Sequence, residues 1–271
     1  MNNNIKLVAI DLDGTLLNSD KKVSRKNIET IRKLREKNVL VTIATGRPVG
    51  GFSWILDDLS LFADDDYSIT NTGSLIIKNK DKSDISKEVL SMDDYFKLKN
   101  IINENLQIGI YNKYNLYSNS KEINKHFAFE SEILKMPIEK FDESNKNQSV
   151  DRISITGDGE ILDHFEKTYN EELLKTYQTV RNVPEVFEVL NKKADKGQAL
   201  KRLCSYLNID LKDTLTIGDS NNDKTMLSIS GLSATCNNGR KSVKEMVDVV
   251  SPYSNNEDGV SNILEKIFFE K

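Results

Sequence analysis

Apolar and polar positions alternate along this chain in two rhythms. Residues 5 to 10 (IKLVAI) form a short apolar run, rich in β-branched side chains, that ends on the acidic DLDG; this predicts a buried strand breaking into a loop. A helical pattern follows, with Ser24 as its N-cap and Ile28, Ile31, Leu34 and Arg35 marking one stripe up to Lys37 and Asn38. VLVTIAT (39 to 45) is a second buried strand ending in the polar TGRP, and YSITNTGS supplies a third. The same grammar returns late in the chain. GQALKRLCSYLNI places Ala199, Leu200, Leu203, Cys204 and Leu207 at helical spacing, TLTIGDSNND runs from strand into acidic loop, and LSATC and VDVVSP continue the alternation.

Strands that alternate with helices predict an α/β fold: a Rossmann-like parallel sheet wound with helices, its ligands beyond the carboxyl ends of the strands. Asp11, Thr45 and Asp219 all fall at such ends. The middle of the chain differs. It is richer in Asn, Lys and Tyr, has strand-like pieces (IGIYNKYNLYS, DRISIT, VFEVL) between helical stretches, and carries solvated runs such as DESNKNQS. The expected organisation is a catalytic core over 1–80 and 193–271, with an inserted α/β domain over 81–192.

A length of 271 residues with 38% hydrophobic content allows two cores. Thirty-eight basic residues stand against 42 acidic ones, a formal charge of −4 with no long basic stripe, which argues against nucleic acid as a partner. No apolar stretch approaches the roughly 20 residues of a spanning helix, so no membrane association is expected. Two cysteines, Cys204 and Cys236, make no disulfide framework, and MNNNIKLVAIDLDG lacks the basic and long apolar regions of a secretory leader. A reducing cytoplasm is the expected location. Oligomeric state is left open, a monomer being compatible with the sequence.

The chemistry concentrates in DLDG. Side chains two apart in an extended or tight-loop D-x-D lie on the same side, so Asp11 can face a phosphorus atom while Asp13 reaches the ester oxygen, and Gly14 lets the chain turn away. A carboxylate nucleophile divides phosphoryl transfer into two easier steps. An acidic turn after a strand is the competing reading of DLDG alone. A calcium loop is not, because glycine is needed at its sixth position and Glu at its twelfth, where this loop has Gly14 fourth and Lys22 twelfth.

LVAIDLDGTLL resembles the first motif of the haloacid dehalogenase superfamily phosphatases, and more narrowly their Cof-type, sugar-phosphatase-like branch. Three further segments are similar to that family's motifs in the right order. VTIATGRP implies phosphate binding by Thr45 and the Gly46 amide, beside Leu12 of the first motif. ADKGQAL puts Lys196 on phosphate and Asp11. GDSNNDKTML implies Asp219 as a magnesium ligand with Asp11 and the Asp13 carbonyl, Asn222 as a phosphate or site-water contact, and Asp223 as a supporting acid. The resemblance covers about 5–77 and 194–271, including SNNEDGVSNIL near the C-terminus. It departs at Asn71, where Thr72 replaces the usual glycine of an N-G-A turn, and at TCNNGR, where the family has a short N-A turn.

The residues are consistent with that implication: a hard cation wants oxygen ligands, and Lys196 offsets clustered carboxylates. Arg47, directly after the phosphate turn, is a further candidate contact through its planar donor fork. His126 and His164 lack zinc-site spacing, and neither cysteine has a neighbouring histidine in sequence. The resemblance implies that the insertion is a cap which closes over the site and selects the substrate, with Tyr111, Tyr114 and Arg181 as candidate contacts. The expectation is a magnesium-dependent phosphatase of small phosphorylated metabolites, sugar phosphates first, then flavin mononucleotide or pyridoxal phosphate. A phosphomutase with the same four motifs, or a receiver-like module that binds magnesium and phosphate without turnover, are the alternatives.

Overall fold

The computed structural model describes residues 4–145 and 148–270. In chain order the strands are β1 (Leu7–Ile10), β2 (Leu40–Ala44), β3 (Tyr67–Thr70), β4 (Leu75–Lys78), β5 (Asp84–Lys87), β6 (Gln107–Tyr111), β7 (Leu116–Tyr117), β8 (Ile138–Glu139), β9 (Arg152–Thr156), β10 (Tyr177–Val183), β11 (Val186–Asn191), β12 (Thr214–Ile217), β13 (Leu232–Thr235) and β14 (Val249–Val250). The α-helices are α1 (Arg25–Arg35), α2 (Ser53–Leu59), α3 (Met92–Lys99), α4 (Lys125–Leu134), α5 (Gly159–Thr176), α6 (Lys196–Leu207), α7 (Lys224–Ile229), α8 (Lys241–Lys244) and α9 (Gly259–Phe268).

The chain divides into two compact units, one of residues 1–46, 53–86 and 196–271, the other of 47–52 and 87–195. The borders of the insertion between these units fall at 86/87 and 195/196, beside the expected 80/81 and 192/193. The short segment 47–52 groups with the inserted residues for a physical reason: the Gly50 amide donates to the Lys113 carbonyl at 2.7 Å, and a Cβ on Gly51 would stand 2.9 Å from Leu134 Cδ2.

The first unit is built on an eight-stranded sheet of order β14-β13-β12-β1-β2-β3-β4-β5, parallel from β14 through β3. β4 departs from the parallel pattern and runs antiparallel to β3. The tight return between them uses consecutive left-handed residues, Asn71 (φ 49°), Thr72 (φ 55°) and Gly73 (φ 98°). β1 is LVAI, buried at every position as a central parallel strand should be. Ile10 is in register with Ile43 of β2 and Ile217 of β12, so the residues that follow these strands emerge together on one edge. α6 buries Ala199, Leu200, Leu203 and Cys204 against this core.

α1 begins as expected, the Ser24 hydroxyl accepting from the Asn27 amide at 3.1 Å. Its buried face is Asn27, Thr30, Ile31 and Leu34, with Ile28 and Arg35 only half-buried. The face is rotated because Asn27 Oδ1 accepts from the backbone amide and the hydroxyl of Ser261 on α9. Arg35 Nη2 donates to both carboxylate oxygens of the buried Asp66.

The second unit holds a six-stranded sheet of order β10-β11-β9-β6-β7-β8. Ile108, Ile110, Ile153, Ile155, Phe187 and Val189 pack with Tyr95 and Leu98 of α3 and with Leu162 and Phe165 of α5. Intervening positions carry a buried ion pair, Arg152 to Glu188 at 2.5 Å, with the Arg152 guanidinium 4.1 Å over the Tyr111 ring. DESNKNQS is only partly open loop: Glu143 accepts from Lys99, Tyr95 and Asn119, while Lys146 and Asn147 lie outside the described residues. Among the described residues no helix is long and apolar enough to cross a membrane.

Candidate active site

Asp11 follows directly from β1 and its amide continues the ladder, donating to the Ile217 carbonyl at 2.9 Å. From the start of α6, the fully buried Lys196 Nζ stands 2.6 Å from Asp11 Oδ1 and 2.6 Å from Asp223 Oδ1. The other oxygen of Asp223 accepts from the backbone amides of Asp219 and Ser220, both at 3.0 Å. One carboxylate thus ties the lysine to the loop after β12. Two glycines make the close packing feasible. A Cβ on Gly197 would meet the Thr225 backbone at 2.7 Å, and one on Gly218 would meet Asp223 Cβ at 2.6 Å.

Asp219 is the third member of the cluster. Among the described residues, ligand oxygens of Asp11, Asp219 and Asp223 all lie within 4.8 Å of one another. Asp219 Oδ1 accepts from the Thr15 hydroxyl at 3.2 Å. Gly14 has φ +81°, and a Cβ there would stand 2.7 Å from Asp219 Oδ2, so glycine is needed both for the turn and for the approach. The TCNNGR segment holds this geometry from outside: Asn238 Nδ2 donates to the Gly14 carbonyl at 2.7 Å and the Arg240 amide to the Asp219 carbonyl at 2.9 Å.

Electrostatics define what the cluster accepts. Burial lowers the proton affinity of Lys196, but the charges of Asp11 and Asp223 more than offset this, and the ammonium form is favoured. Burial raises the Asp11 carboxyl well above the usual range against the pull of Lys196, and Asp223 and Asp219 add to the rise. Burial, followed by the Asp223 charge, pushes Asp219 up to about 6. Three carboxylates against one ammonium leave an excess of negative charge on hard oxygen donors. This is the donor chemistry that a divalent ion such as magnesium fits.

Thr45 is buried at the end of β2, its amide bonded to the Ile69 carbonyl and its carbonyl accepting from the Thr72 amide. Gly46 is half-buried, and a Cβ on it would meet Thr72 Oγ1 at 3.3 Å. The Leu12 side chain is fully buried, which leaves only its backbone for a ligand. Asn222 sits in the turn before α7, with Oδ1 accepting from the Ser220 hydroxyl at 2.6 Å. The carboxylate of Asp13 is not in the cluster of three; it pairs with Lys21 Nζ at 2.8 Å.

Arg47 belongs to the second unit, where it is buried and donates to the Gly51 carbonyl at 3.0 Å. Of the expected substrate contacts in that unit, Tyr111 has no exposed surface and donates to Glu130, and Arg181 is paired with Asp163 and Glu166. Tyr114 is 48% exposed. Sequence reasoning overlooked Thr15, Lys21 and Asn238. Thr15 stood within the quoted DLDGTLL and Asn238 within TCNNGR, while Lys21 gave no local signal.

The family model for haloacid dehalogenase-like hydrolases matches residues 8–264. The chain belongs to the haloacid dehalogenase-like hydrolases. This hydrolase is 27% identical to phosphatase YwpJ of Bacillus subtilis, over 97% of this chain and all of that protein (100%). It is 29% identical to the 5-amino-6-(5-phospho-D-ribitylamino)uracil phosphatase YcsE of the same organism, over 96% of this chain and 94% of that one. Among solved structures it is similar to a haloacid dehalogenase-like hydrolase from Bacteroides thetaiotaomicron, with TM-score 0.88 and 26% identity over 97% of this chain and 100% of the other.

Proposed function

We propose that this hydrolase is a magnesium-dependent phosphatase of small phosphorylated metabolites that works through an aspartyl-phosphate on Asp11. The observation that carries the reading is the Lys196 bridge between Asp11 and Asp223, with Asp219 beside it. Lys196 holds Asp11 Oδ1, and a carboxylate oxygen of Asp11 is the attacking atom. It forms a bond to phosphorus as the ester P–O bond breaks, and the Asp13 carboxyl gives its proton to the departing oxygen. Asp13, now a carboxylate, takes a proton from water. The water oxygen bonds to phosphorus, the Asp11–phosphorus bond breaks, and phosphate and free Asp11 result.

Asp11, Asp219 and the Asp13 carbonyl are the proposed magnesium ligands, and the ion supplies positive charge to the phosphoryl oxygens. Thr45, the Gly46 amide, the Leu12 backbone and Asn222 are assigned to phosphate, and Asp223 to support of Lys196. In this reading the inserted unit is a cap that selects the group carrying the phosphate. The name of the relative YcsE, a phosphatase of a phosphorylated ribityl compound, supports a phosphorylated sugar or sugar alcohol as the substrate class.

The test is release of p-nitrophenol from p-nitrophenyl phosphate. Wild type is expected to turn over only with magnesium, and Asp11→Asn not at all; release by Asp11→Asn at the wild-type rate would contradict the assignment.

A further inference from the structure

Lys21 lies in the loop that follows the DLDGTLL segment. Its ammonium stands 2.8 Å from Asp13 Oδ1, with both side chains partly exposed. Exposed ion pairs add little to stability. The backbone beneath this one is nevertheless held from several directions.

Asn18 Oδ1 accepts from the amides of Asp20 and Lys22, the Asn18 amide donates to the Lys22 carbonyl, and the Lys21 amide donates to the Asn18 carbonyl. Leu17 and Val23 close the turn as an antiparallel bridge. The C-terminal segment anchors it again, Asn255 Nδ2 donating to the Leu17 carbonyl and the Ser19 amide to Asn256 Oδ1, each at 2.8 Å. At the apex Lys21 has φ 59°, a left-handed conformation that glycine or asparagine adopts with less strain. A strained, pinned turn therefore carries a long cation to the one carboxylate of DLDG that the Lys196 cluster does not hold.

We propose that Lys21 is a positioning residue for Asp13. Its ammonium fixes the Asp13 carboxyl at the orientation from which it reaches the leaving oxygen. The inference rests on the reading of Asp13 as the leaving-group acid, and it concerns only the step that expels the alcohol.

Leaving-group dependence tests it, because p-nitrophenolate departs readily without a proton whereas an alkoxide does not. Values of kcat/KM, which report the steps up to loss of the leaving group, are compared for p-nitrophenyl phosphate and glycerol 2-phosphate at saturating magnesium. Lys21→Met is expected to fall on the order of 10- to 100-fold on the alkyl ester and far less on the aryl ester. Lys21→Arg should recover most of the loss, with an unchanged melting temperature in both variants. Asp13→Asn serves as the reference and should show the same preference more strongly. If Asp13→Asn discriminates between the esters but Lys21→Met lowers both equally, raises either or changes neither, the proposal for Lys21 falls alone. If Asp13→Asn treats both esters alike, the acid role of Asp13 falls and the proposal goes with it.

Discussion

Lys196 and Asp11 meet at 2.6 Å in a place from which solvent is excluded, although 185 positions separate them in the chain. Such a pair is strongly coupled to the fold, because removing the ammonium leaves Asp11 and Asp223 as uncompensated buried carboxylates. Lys196→Met should therefore lose about 3–5 kcal/mol in urea unfolding as well as activity. Adding Asp223→Asn to that variant should restore part of the stability and none of the turnover. A fully stable Lys196→Met would show that the bridge is not a structural constraint.

Gly14 separates the chemistry from the scaffold. Gly14→Ala places a methyl group 2.7 Å from Asp219 Oδ2 at a φ that L-residues avoid. The stability loss should be modest, about 1–2 kcal/mol, while the magnesium concentration for half-maximal activity should rise steeply as Asp219 is displaced. An unaltered magnesium dependence in a folded Gly14→Ala variant would argue against Asp219 as a ligand.

Magnesium itself should act as a stabilising ligand. An ion that binds only the folded chain adds about 2.7 kcal/mol at a hundredfold excess over its Kd, which corresponds to a rise in melting temperature of about 5 °C or more. Differential scanning fluorimetry should show the rise in wild type and not in Asp219→Asn. An equal shift in both would locate the ion elsewhere.

Asp94 sets an acid limit within the inserted unit. Burial pushes its carboxyl up, but the Ser91 hydroxyl and amide and the Tyr177 hydroxyl outweigh burial and hold it below the ordinary value. A carboxyl with its folded pKa below its unfolded one contributes stability above the unfolded value, and that contribution is lost as pH falls through the folded value. The urea midpoint of wild type should thus exceed that of Asp94→Asn near neutrality, and the gap should close as pH is lowered from about 6 toward about 3. A gap independent of pH would contradict the assignment.

The core was legible because its signals are local. Buried apolar runs ending on Asp11, Thr45 and Asp219 gave the parallel strands and the edge on which they open, and Ser24 marked the start of α1. Long-range contacts were not legible. The rotation of α1 follows from Asn27 meeting Ser261, and the placement of 47–52 follows from Gly50 and Gly51 packing against residues more than 60 positions away. Tyr111 looked like a substrate contact because an isolated tyrosine gives no hint of its burial. The alternation of Arg152 and Ser154 with Ile153 and Ile155 was the available sign that this sheet has a polar side.

The proposed covalent phosphoryl group on Asp11 can be trapped by rapid acid quench of wild type turning over a phosphate ester, followed by borohydride reduction and peptide mass spectrometry. The peptide that contains DLDGTLL should carry the mass of one phosphoryl group before reduction and a homoserine at position 11 after it, with neither in Asp11→Asn. Turnover at the full rate with no modification of Asp11 at any quench time, or modification of a different residue, would contradict it.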